Sequence, residues 1–168
     1  MSIAQELYIQ PAEIVEVDGP VIFLAGPIQG APLWQPEAAA LIHAQTEIIV
    51  ASPQKDYPEG TFVYENQVDW ETHFLRRAAK CGVIMFWLAA QTEETPGRSY
   101  AQTSRFELGE AKLKHERDGI NLVVGIESGF GNERYIRRRF NQDCPDVLMP
   151  SNLAETVSST LELVNSLD

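Results

Sequence analysis

Gly82-Val83-Ile84-Met85-Phe86-Trp87-Leu88 contains the most apolar run in the chain. Its β-branched and aromatic content, and its brevity, read as a central strand buried on both faces. Upstream, Val21-Ile22-Phe23-Leu24-Ala25 is a second continuous apolar run, closed by Gly26-Pro27, and Ile48-Ile49-Val50-Ala51 is a third, stopped by Ser52-Pro53. Downstream, Asn121-Leu122-Val123-Val124-Gly125-Ile126 is a fourth, and Asp146-Val147-Leu148-Met149 a weak fifth.

Helical spacing fills the gaps between these runs. Ala38, Leu41 and Ile42 mark a helix over 35–45, and Val68, Phe74, Leu75, Ala78 and Ala79 a second. Residues 103–117 read as a third, ended by Asp118-Gly119. Asn132 is placed to cap a short helix over 133–140. Ser151 or Asn152 is placed to cap a last one, with Leu153, Val157, Leu161 and Val164 on one stripe. Apolar strands alternating with helices imply a single α/β domain over 1–168, with residues 1–18 an N-terminal arm or an extra edge strand. The expected architecture is a flavodoxin-like, doubly wound, five-stranded parallel sheet of order 2-1-3-4-5 with helices on both faces. In such a sheet a ligand binds beyond the strand C-termini, where strand order reverses.

Thirteen Lys plus Arg against 24 Asp plus Glu give a net charge of −11. That charge argues against nucleic-acid polymers and anionic membranes as partners, since both reward basic faces. No apolar run approaches the roughly 18 residues of a membrane span. Met1 to Gln10 lacks the basic region and apolar stretch of a signal peptide, so the expectation is a cytoplasmic protein with a small-molecule partner. Cys81 and Cys144 are too few for a disulfide framework. His43, His73 and His115 have no metal-ligand spacing, so neither a metal nor a cofactor is expected.

Three segments following the strands could carry chemistry. Gly26-Pro27-Ile28-Gln29-Gly30 is a tight turn whose small residues would also let a sugar or phosphate approach the backbone. It has neither the GxGxxG spacing nor a Gly-Lys-Ser/Thr, which disfavours dinucleotide and nucleoside-triphosphate chemistry. Ser104-Arg105-Phe106-Glu107 fits a capping box. It equally fits a carboxylate in a first helical turn, facing the site and held ionised by the helix N-terminus. Gln67-Val68-Asp69-Trp70-Glu71 sets an indole among carboxylates, which suits either an aromatic platform or core packing, and Trp34 invites the same two readings. The 91–102 loop is long for a compact domain and reads as a lid. Arg134, Arg137, Arg138 and Arg139 form either a solvated helix face or a phosphate or subunit contact.

Several of these pieces, taken in order, resemble the nucleoside 2-deoxyribosyltransferase family, in particular its divergent "-like" branch. The matching pieces are Phe23-Leu24-Ala25-Gly26-Pro27-Ile28 with Trp34 following, then Ala51-Ser52-Pro53, Gln67 to Glu71, the Val83–Leu88 strand, Glu107-Leu108-Gly109-Glu110-Ala111, and Gly129-Phe130 with Asn132. The resemblance spans about 21–135. It implies that Glu107 is a nucleophile and that Glu71, or else Asp69, is the assisting acid. It further implies that Gly26, Pro27, Ile28, Trp34, Trp70, Ser104 and Arg105 surround a nucleoside or nucleotide, in a homo-oligomer. The acid that better-known members carry six positions before the nucleophile is replaced here by Ala101. The implied reaction is cleavage of an N-glycosidic bond through a glycosyl-Glu107 intermediate, with transfer of the sugar to another base. One alternative is hydrolysis of nucleoside 5′-monophosphates, and another is a nucleotide-sensing module without turnover.

Overall fold

The computed structural model describes residues 6–167, and the first five residues of the expected N-terminal arm lie outside that range. A five-stranded, all-parallel sheet carries helices on both sides. In chain order the elements are β1 (Tyr8–Ile9), β2 (Val21–Ala25), α1 (Gln35–His43), β3 (Ile49–Ala51), α2 (Tyr64–Lys80), β4 (Gly82–Leu88), α3 (Gln102–Asp118), β5 (Leu122–Ile126), α4 (Glu133–Asp143) and α5 (Leu153–Asn165). The spatial order is β1-β3-β2-β4-β5, a flavodoxin-like α/β arrangement.

The four strong apolar runs take the expected relative order. The fifth strand is at the opposite edge from the one anticipated. Tyr8 and Ile9 pair with Val50 and Ala51, so the edge-strand reading of the N-terminal region holds for these two residues. The Asp146–Met149 stretch forms no strand. It does run beside β5, where the Leu148 and Pro150 carbonyls accept from the Val124 and Ile126 N–H groups at 3.1 and 2.9 Å. Pro150 has no N–H to return to the ladder, which limits what the stretch can pair.

Side chains alternate along each strand and build a core on each face. Val21, Phe23, Ala25, Ile84, Phe86 and Leu88 face α2, α3 and α4, meeting Trp70, Phe74, Leu108 and Phe140. Ile22, Leu24, Val50, Met85 and Trp87 face α1 and α5, meeting Ala38, Ile42, Val157 and Leu161. Covering both faces explains why the strands read as continuous apolar runs rather than alternating ones. No helix among the described residues is long and apolar enough to cross a membrane.

The helix ends follow the expectations in part. Gly119 closes α3 in the left-handed region at φ 71°. The Asn152 side chain caps α5, accepting from the Glu155 N–H at 2.8 Å. Asn152→Ala should therefore cost about 1 kcal/mol and lower Tm by roughly 2–4 °C in calorimetry. Asn132 does stand at the N-cap of α4, but in the left-handed conformation and without a side-chain cap.

Candidate active site

A cleft of about 420 Å³ opens at the carboxyl ends of β2 and β3, between α2 and α3. It sits between the loops that follow β2 and β4, where the strand order reverses. Gly26, Pro27 and Ile28 form part of its lining. The loop is held from behind by Trp34, whose indole N–H donates to the Pro27 carbonyl at 3.0 Å. Trp34 is thus a buried support in the α1–α5 core and does not line the cleft.

Helical geometry decides which part of the Gln67–Glu71 cluster reaches the site. Trp70, Phe74 and Ala78 share one stripe of α2 and pack on the sheet. Trp70 is 2% exposed, tilted against Phe23 and Phe74, and offers no face to the cleft. Gln67 and Glu71 lie one turn apart on the neighbouring stripe and do line it. Asp69 points elsewhere, into a separate cleft with Glu13 and Asn66, and is exposed. Of the two acids considered as partner for Glu107, the fold brings Glu71 to the same cavity and leaves Asp69 outside it.

On the other wall, α3 starts two residues before Ser104. Its N-cap is Ala101, at φ 58° and ψ 32°, with no side-chain cap. Ser104 is therefore a helical residue and the capping box does not form. Ser104 and Glu107 instead stand one turn apart, both lining the cleft. Ser104 as a residue is 4% exposed, and its hydroxyl, not itself enclosed, has no hydrogen-bond partner among the described residues. Arg105 turns away from the cleft. Its guanidinium lies 4.4 Å from the Phe130 ring centroid and donates to the Gly131 carbonyl at 2.8 Å. Phe130 in turn packs on Tyr100, whose hydroxyl donates to the Ala89 carbonyl at 2.8 Å.

The electrostatics differ from the expected direction. Glu107 falls in the second turn of α3, past the reach of the helix N-terminus, which fades within the first turn. Burial, then the charges of Glu71 and Glu110, push its carboxyl up to about 8. Burial also raises Glu71, against the opposing effect of the Gln67 amide. Two carboxyls in one cleft, each easier to protonate than usual, titrate as a coupled pair.

Residues 54–64, and individual side chains of the 89–101 segment, supply lining that the sequence reading did not single out. Tyr57, Phe62 and Tyr64 line one wall of the cleft, with Tyr57 and Phe62 edge-to-face at 5.2 Å. Two aromatics within an otherwise polar loop, with a third at the first position of α2, were the available signal, since a loop has no core of its own to bury them. Lys55 and Arg98 are the cations of the cleft. The arginine-rich stretch of α4 lines none of it: Arg137 is tied to Glu133 and to the Met149 and Ile126 carbonyls, and Arg139 to Tyr135. The 91–102 segment is tethered rather than free. The Gly30 carbonyl accepts from the Thr92 and Glu93 N–H groups at 2.8 and 3.2 Å, and Arg98 donates to Gln29. Glu127 also accepts from the Ala90 N–H at 2.7 Å. No group of His, Cys, Asp and Glu suited to a metal ion occurs among the described residues.

Fold and cavity together define an α/β domain with a paired-carboxyl cleft at the carboxyl edge of a parallel sheet. No family model matches the sequence, and no curated protein matches it.

Proposed function

We propose that this protein cleaves the N-glycosidic bond of a nucleoside or deoxynucleoside and passes the sugar to another base, with Glu107 as nucleophile and Glu71 as acid. The observation that carries this reading is the convergence of these two glutamates, one from α2 and one from α3, on a single cleft where their charges interact. The ordered motifs that resemble the nucleoside 2-deoxyribosyltransferases support it from the sequence side.

In the reaction, a Glu107 oxygen attacks C1′ while the C1′–N bond breaks and its electron pair passes to the base nitrogen, which takes the proton from Glu71. An incoming base nitrogen then attacks C1′, freeing the Glu107 carboxylate and returning a proton to Glu71. Water in place of the second base gives hydrolysis. Gly26, Pro27 and Ile28 form the floor, and Tyr57, Phe62 and Tyr64 offer ring faces to the base. Exposed Phe106 and Leu113, seven residues apart on α3, give the implied homo-oligomer an apolar surface to form on.

The singly protonated pair is the working form, so kcat/KM should follow a bell. Its lower limb lies above the ordinary carboxylate value of 4.5, because Glu71 is raised. Its upper limb lies near 8, where the pair loses its last proton.

Hydrolysis of a nucleoside 5′-monophosphate is favoured by one observation. Lys55, Arg98 and the partnerless Ser104 hydroxyl line the same cleft on a chain of net charge −11. Incubating the protein with 2′-deoxynucleosides or their 5′-monophosphates, with and without an acceptor base, separates the readings chromatographically. Base exchange supports transfer, and free base without exchange supports hydrolysis. Absence of turnover with every substrate overturns both and leaves a sensing module.

A further inference from the structure

One side chain of the cleft has both of its amide N–H donors committed. Gln67 donates to the Pro53 carbonyl at 3.0 Å and to Glu71 Oε1 at 2.7 Å, while its amide oxygen accepts from the Tyr57 hydroxyl. The Pro53 carbonyl can only accept, so the amide cannot turn over without losing that bond. Gln67 therefore presents a donor, never an acceptor, to Glu71. A donor held at that distance stabilises a carboxylate and disfavours a proton on the same oxygen.

Glu107 has no equivalent. Its carboxyl has no hydrogen-bond partner among the described residues. Apart from Tyr64, exposed at the start of α2, the other charged or titratable groups around the pair are committed elsewhere or carry the wrong sign. From the loop before α2, Lys55 donates to the Pro11 carbonyl at 2.6 Å and Tyr57 to Gln67. From the 89–101 segment, Arg98 donates to Gln29 and Tyr100 to the Ala89 carbonyl. From α3 itself, Glu110 adds a negative charge.

We propose that Gln67 is a positioning residue that decides which carboxyl of the pair carries the shared proton, holding the negative charge on Glu71 and leaving the proton to Glu107. Tyr57 acts one step further back, fixing the Gln67 amide oxygen. The consequence for catalysis rests on the reading of Glu107 as nucleophile. The open cleft rests in the tautomer that cannot attack, and the proton must pass to Glu71 before the sugar is captured.

The test reads the carboxyls directly and does not depend on turnover, so a protein that turns over no nucleoside still answers it. The side-chain carboxyl ¹³C shifts of the labelled full-length chain are followed from about pH 4 to about pH 10. Glu71→Gln and Glu107→Gln variants assign the two signals. In the wild type the upper titration step should appear mainly at Glu107. In Gln67→Leu that step should move to Glu71, with the Glu107 share of its amplitude falling by at least about half. Tyr57→Phe should move it the same way by less, and decides the matter if Gln67→Leu does not fold. A Gln67→Leu variant that melts like the wild type and leaves both titration curves unchanged overturns the proposal. So does a wild-type upper step that already sits on Glu71.

Discussion

On the proposed reading, replacing Glu107 with glutamine is expected to lower turnover at least about 10³-fold, and at the same time to make the protein more stable above neutral pH. The first effect follows from removing a nucleophile, since the amide is isosteric but cannot form a glycosyl ester. Glu71→Gln should cost less, about 10²-fold, because water can replace a proton donor in part. The second effect follows from linkage. A carboxyl raised to about 8 in the folded chain, against 4.5 as its ordinary value, binds its proton more tightly when folded. The stability attached to that proton is fully present below about pH 4.5 and is lost as pH rises through about 8. Glutamine never ionises, so the variant escapes the loss. The gap between variant and wild type should be near zero at pH 4 and reach about 2–4 kcal/mol at pH 9, after allowance for solvent screening in an open cleft. That corresponds to a Tm increase of roughly 5–12 °C at pH 9, measurable by calorimetry across pH. A Tm difference that does not change with pH would remove the buried, raised carboxyl from the account. A variant of undiminished turnover would remove the nucleophile.

How much of this was legible beforehand depended on whether a feature was local. The run from Val83 to Leu88 could only be a strand covered on both sides, and its partners followed from the same pattern. The outermost strand was legible only as one of two alternatives for the N-terminal region, an arm or an edge strand. Tyr8–Ile9 is two residues long, too short to show a period, whereas Val147, Leu148 and Met149 show an apolar run but end at Pro150. The site was half legible for a similar reason. Glu107 was singled out by the family resemblance, but the Ser104 capping box, one of the two readings of its helix start, occurs in sequence without its hydrogen bonds. The true start, set by left-handed Ala101, moves Glu107 a turn deeper, out of reach of the helix N-terminus, and burial with the charges of Glu71 and Glu110 raises its carboxyl instead. On α2 the spacing already held the answer. Trp70, Phe74 and Ala78 repeat every four residues and must face the sheet. Gln67 and Glu71 therefore fall on the next stripe, while Asp69 is rotated about 200° from Gln67. The aromatic wall of Tyr57, Phe62 and Tyr64 depends on where a loop folds back, which no periodicity encodes.

Gly26→Ala should be the most damaging small substitution at the cleft, because the floor and the sheet meet there. Gly26 has φ +150°, a conformation L side chains rarely adopt. A Cβ at that position would overlap the Trp87 backbone carbonyl and lie 2.9 Å from Trp34 Cζ2. Neither neighbour can give way cheaply. The Trp87 carbonyl belongs to the central strand β4, and the Trp34 indole is pinned to the Pro27 carbonyl. Backbone strain of about 1 kcal/mol adds to overpacking of about 1–3 kcal/mol, so a loss near 3 kcal/mol and a Tm drop of roughly 6–12 °C are expected. On the proposed reading the damage should also reach the ligand. Displacing Gly26 would tilt Pro27 and Ile28, which line the cavity, so affinity for the proposed nucleoside, measured by calorimetric titration, should fall at a temperature where the variant remains folded. Ile28→Ala, exposed at the rim, should leave Tm within about 1 °C. A Gly26→Ala protein as stable as the wild type would show that β4 and the Gly26 turn can separate, and that the cleft floor is not rigidly fixed to the sheet.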